Sequence, residues 1–82
     1  MDEDARQRLS PSFRAELKRT ERLAETLVGQ SEPNAMAAAA LAGITVRVAA
    51  RDGKTFMLRK DHRPSRVNVT IDNGKVTAVR VG

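Results

Sequence analysis

Arg51, Lys54, Arg59, Lys60, Arg63 and Arg66 crowd into residues 51–66, where the only acids are Asp52 and Asp61. No catalytic chemistry fits this stretch. The chain has no cysteine, hence no thiol nucleophile, no disulfide and no zinc knuckle. Its single histidine, His62, has no second ligand and no nucleophile to activate. Asp61 is not read as a catalytic acid, and no metal or cofactor is expected. Asp52-Gly53 and Asn73-Gly74 are turn dipeptides; a phosphate cradle would need a glycine–lysine spacing followed by a helix. What remains is recognition. A positive segment draws acidic partners to itself, and nucleic acid, an anionic surface and an acidic protein pocket all meet that description.

The charge is local. Residues 1–30 balance six acids against six bases, whereas residues 31–82 carry nine bases and four acids, within a net charge of +5. The aromatics are Phe13 and Phe56 alone, which counts against a base-stacking nucleic-acid surface. The longest apolar run, residues 35–42, is far shorter than the roughly 20 residues of a membrane span. The acidic start, Met1-Asp2-Glu3-Asp4, leads into no apolar stretch and does not read as a secretory signal. A cytoplasmic setting is the default expectation, with the mature form of an exported protein as the other. Eighty-two residues make one domain, near the size at which a single core suffices.

The elements around the basic segment are legible from periodicity. Phe13, Leu17, Thr20, Ala24 and Leu27 form one helical stripe within residues 9–28, capped by Ser10 or Ser12 with Pro11 in the first turn. The opposite face is charged, as expected of a solvated or docking helix. Gly29-Gln30 ends it. Ser31 is a fresh N-cap, followed by Glu32 and Pro33 in the first turn and an alanine-rich helix closed by Gly43. Ile44, Val46, Val48 and Ala50 alternate with Thr45, Arg47 and Ala49, which predicts a half-buried strand. Val67, Val69 and Ile71 repeat the pattern. Asp72-Asn73-Gly74 is a hairpin turn leading into a third strand, Lys75 to Val81. About fifteen residues separate the first two strands, a long connection for so small a domain and commonly a functional one. Its middle, Thr55 to Arg63, has the composition of an extended segment.

Three stretches then resemble the potato inhibitor I family of serine-protease inhibitors, especially its small bacterial and fungal, elastase-inhibitor-like branch. They are Leu27-Val28-Gly29-Gln30-Ser31, Asp61-His62-Arg63-Pro64-Ser65-Arg66-Val67-Asn68-Val69 and Val79-Arg80-Val81-Gly82. Within the second, His62 takes the place of an aromatic and Ser65 that of an acid. Order and spacing agree over residues 27–82. The resemblance implies an α+β fold: one helix on a small mixed three-stranded sheet, the strands flanking the loop running parallel. Residues 1–26 would be a charged helical extension to a 27–82 inhibitor domain. It implies that loop 54–65 is a protease-binding loop with its scissile bond between Lys60 and Asp61. Met57, Leu58, Arg59 and Lys60 would lie on the non-primed side, and Asp61, His62 and Arg63 on the primed side. Arg66 and Asn68 would support the loop from beneath, with bracing resting more on Arg66 and Arg63. The partner would be a trypsin-like or subtilisin-like serine protease, met by a monomer that is not itself an enzyme. The other reading is a nucleic-acid or acidic-protein binding module using residues 51–66.

Overall fold

A computed structural model describes residues 11–58 and 61–82. Two helices and a four-stranded mixed sheet make a small α+β fold. The elements are α1 (Pro11–Leu27), α2 (Glu32–Leu41), β1 (Thr45–Arg51), β2 (Lys54–Thr55), β3 (Arg66–Asp72) and β4 (Lys75–Val81). The strand order is β2-β1-β3-β4. β1 and β3 are parallel; β2 pairs antiparallel with β1, and β4 with β3. The sheet thus has one strand more than expected. Asp52 (φ 50°) and Gly53 (φ 81°) turn the chain straight back, so Lys54 and Thr55 pair with Arg51 and Ala50 instead of entering the loop.

Both helices lie over one face of the sheet. Ala24 and Leu27 of α1, Ala35 and Ala39 of α2, and Ile44, Val67, Val69, Ile71 and Val76 form one buried cluster. Alanines on α2 allow it to approach the sheet closely, Ala35 and Ala39 being buried and Ala38 packed against the core, while Met36 and Leu41 face outward. The stripe expected on α1 is the buried one: Thr20, Ala24 and Leu27 face inward, and the Thr20 hydroxyl donates to the Glu16 carbonyl at 2.9 Å. α1 therefore shares the core of residues 27–82 and runs across the boundary drawn at residue 26. Ser10, one candidate cap, lies outside the described residues.

The ends of α2 follow its sequence. The Ser31 hydroxyl accepts from the Asn34 amide at 3.3 Å. At the other end Gly43 (φ 71°) turns left-handed, and the amides of Gly43 and Ile44 donate back to Ala40 and Ala39. This drops Ile44 into the core. A register shift between Val48 and Ala50 then breaks the alternation of β1. Ala50 comes opposite Thr70 and not on the inward stripe, and Arg51 comes opposite Ile71, where it reaches Glu32 of α2 at 2.6 Å. The free edge of β4 is partly covered by the segment between the helices: Gly29 donates to Val76, Val76 to Gln30, and Glu32 to Gly74.

Leu27 is fully buried between α1 and the sheet, whereas Leu41 is nearly fully exposed. Leu27→Ala should lower stability by about 2–5 kcal/mol, and Leu41→Ala by less than about 0.5 kcal/mol. Urea denaturation of the two variants checks this; a small loss for Leu27→Ala would mean that α1 is not held in the core.

Candidate functional site

Parallel neighbours force a long connection. The chain leaves β1 at one end of the sheet and must enter β3 at the other, a distance of about 20 Å for strands of this length. After the Asp52-Gly53 turn and β2, the Phe56 amide donates to Ala49 at 2.9 Å, and the chain sets off along the sheet. It returns through Asp61, His62 and Arg63 to a turn at Pro64 and Ser65. The base is closed by Thr45 donating to the Ser65 carbonyl at 3.0 Å. The described residues on either side of the middle of the connection lie over the sheet face opposite the helices. Leu58, Asp61 and His62 form one wall of a groove of about 590 Å³ there, and Arg47, Ala49, Asn68, Thr70, Ala78 and Arg80 form its floor.

Arg66 fastens this loop from beneath. It begins β3 on the outward face and is only 8 % exposed. Its Nη2 donates to the Asp61 carbonyl at 2.7 Å, to Asp61 Oδ1 at 3.1 Å and to the Gly82 oxygen at 2.8 Å. Its Nε donates to the same Gly82 oxygen at 3.0 Å, and its Nη1 to Asp61 Oδ2 at 3.4 Å. A buried guanidinium must have its donors satisfied, and these contacts satisfy all three of its nitrogens. Gly82 is tied in turn by its amide, which donates to the Arg66 carbonyl at 3.0 Å. A side chain at Gly82 would bring its Cβ within 3.3 Å of His62 Nδ1, on a backbone with φ at 149°. Glycine permits this close approach.

Two further arginines reach Asp61. Arg63 Nε lies 3.4 Å from Oδ2, and Arg47 Nη1 lies 3.5 Å from Oδ1. Arg47 is itself steadied by Asn68, whose Oδ1 accepts from Arg47 Nε at 2.7 Å. Asn68 therefore acts on the loop through Arg47. Sequence reading missed Arg47, although its outward place in the β1 alternation was visible. The missing information was the parallel register, which sets Arg47 beside Asn68.

The remaining predicted loop residues are dispersed. Met57 is fully exposed, and neither it nor the half-exposed Phe56 enters the core. Leu58 is partly buried in the groove wall, and His62 and Arg63 are exposed. Arg59 and Lys60, with the proposed cut position, lie outside the described residues. Among the described residues, no group of His, Asp and Glu could hold a metal ion, and no helix is long and apolar enough to cross a membrane. Comparison with protein-family models, curated proteins and solved structures gives no match.

The arginines determine the titration of Asp61. Hydrogen bonds and charge from Arg66 hold its carboxyl far below the ordinary 3.8, aided by Arg63 and opposed by partial desolvation. Because the folded value is depressed, the brace is at full strength above pH of about 4 and is lost only as pH falls through the folded value. The carboxyl carbon of Asp61, followed by NMR, should show no titration between pH of about 5 and 3; Arg66→Gln should return its midpoint toward the ordinary value. An ordinary midpoint in the unmodified protein would mean that the arginines do not hold the carboxylate in solution.

Proposed function

We propose that the protein is a serine-protease inhibitor whose loop, residues 56–65 beyond β2, binds a protease cleft in the manner of a substrate. The observation that carries this reading is the hold of Arg66, Arg63 and Arg47 on Asp61. An inhibitor of this kind needs no catalytic group. It needs an extended segment that loses little freedom on binding. Ordering a free peptide costs about 1–2 kcal/mol per residue, and a loop already fastened to its sheet has met much of that cost during folding. Asp61 is the residue that should follow the scissile bond, and it is held through both its carbonyl and its carboxylate. After a cut at Lys60–Asp61, the same contacts would keep the new Asp61 end in place, which favours re-formation of the bond over release.

Lysine at position 60 selects the target. In a trypsin-like pocket its ammonium would meet a buried aspartate. Arg59-Lys60 is also a dibasic pair suited to a basic-specific subtilisin-like enzyme. The nucleic-acid reading is weakened by the ion pairs: Arg51 is spent on Glu32, and Arg63 and Arg66 on Asp61. Three of the four described bases in residues 51–66 thus already face an acid of the chain.

Trypsin and subtilisin should each be titrated with the purified protein and the mixtures followed by mass spectrometry. The expected result is stoichiometric inhibition of at least one enzyme, with a single slow cut between Lys60 and Asp61. Lys60→Ala should weaken trypsin inhibition by about 2–5 kcal/mol. Rapid cutting at several positions in 54–63 without inhibition would overturn the proposal.

A further inference from the structure

Arg47 on β1, Asn68 on β3 and Arg80 on β4 stand in one row across the sheet: Arg47 is the register partner of Asn68, and Asn68 that of Arg80. All three line the groove beneath the loop, with His62 at its edge. Neighbouring strands are about 4.8 Å apart, so the two arginines start about 10 Å from each other with the amide between them. Two arginine side chains can close that distance on one small ligand.

The row holds more donors than acceptors: Arg47 keeps Nη2 beyond its contacts to Asn68 and Asp61. Asp61 is the only side-chain carboxylate lining the groove among the described residues, and it is already engaged by three arginines. Arg80 makes no ion pair within 4.0 Å among the described residues. Glu21 and Glu25 of α1 line a cleft on the helix side together with Arg80, without such a pair. Asn68 spends its Oδ1 on Arg47, which turns its Nδ2 into a donor with no acceptor among the described residues. Beyond the row the floor is small and mostly apolar: Ala49, Thr70 and Ala78, with Leu58 on the wall.

We infer that this groove binds a small organic phosphate, its oxyanion on the Arg47–Asn68–Arg80 row and its apolar body over Ala49 and Ala78 against Leu58. A phosphate monoester brings a charge of about −1.5 to −2 and three acceptor oxygens. That suits the Arg80 guanidinium, the Nη2 that Arg47 leaves after its contacts to Asn68 and Asp61, and the Asn68 amide approaching from three sides; a carboxylate has only two oxygens to share among them. The inference does not rest on protease binding, and the site lies on the sheet face under the loop, away from the side chains the loop presents outward.

The test is an NMR titration of the whole chain with phenyl phosphate, inorganic phosphate and benzoate at constant ionic strength. Phenyl phosphate should give saturable shifts at Arg47, Asn68, Arg80 and His62, with inorganic phosphate and benzoate weaker. Arg80→Glu, a change at an exposed position, should weaken phenyl phosphate at least about tenfold while the signals of α2 stay in place. Arg80→Gln should fall between the two. Non-saturating shifts matched by sodium chloride would overturn the site. So would an Arg80→Glu protein that binds as well as the unmodified one. Equal affinity for benzoate would overturn the phosphate assignment, and equal affinity for inorganic phosphate would overturn the placing of the apolar body.

Discussion

One guanidinium joins three parts of the chain that are distant in sequence. Arg66 is rooted in β3, and it holds the loop through Asp61 and the end of β4 through Gly82. Its burial is possible only because Asp61 and Gly82 supply acceptors, and the loop keeps its course over the sheet because Arg66 supplies donors. Each arrangement is the condition of the other. Removing one partner of such a pair leaves the remaining polar group without compensation, so loss of Arg66 is expected to act on the loop and on the β4 end together.

The sheet has a different role on each face. Val67, Val69 and Ile71 pack under the helices, while Asn68 and Thr70 face the groove. The packed face sets the positions of β1, β3 and β4, and the outward side chains inherit that spacing. Arg47, Asn68 and Arg80 are therefore placed by apolar contacts that none of them makes. The loop is fastened over a surface whose backbone is paired along three strands.

Charge in residues 51–66 divides between internal and outward use. Arg51 secures the end of β1 to α2, and Arg63 and Arg66 secure the loop. Lys54 lies on the exposed β2 strand. A segment that looks like a uniform basic patch in sequence is thus partly a set of local fastenings.

The primary structure by itself determined both helices, the hairpin at Asn73-Gly74, the apolar stripe of β3 and that of β1 as far as Val48. Each of these rests on local periodicity or on turn chemistry that neighbouring residues carry. It also marked the segment after Ala50 as an unusually long connection, and Asp61 and Arg66 as its fastening through a family resemblance. Tertiary structure alone decided the rest. The parallel register of β1 with β3 brings Arg47 to Asp61, a pairing across fourteen residues that no local pattern encodes. The bulge at Val48 to Ala50 swings Arg51 to Glu32, and the tight turn at Asp52-Gly53 adds β2. The row of Arg47, Asn68 and Arg80 exists only once three strands lie side by side, because hydrogen bonding between strands, and not order along the chain, makes those residues neighbours.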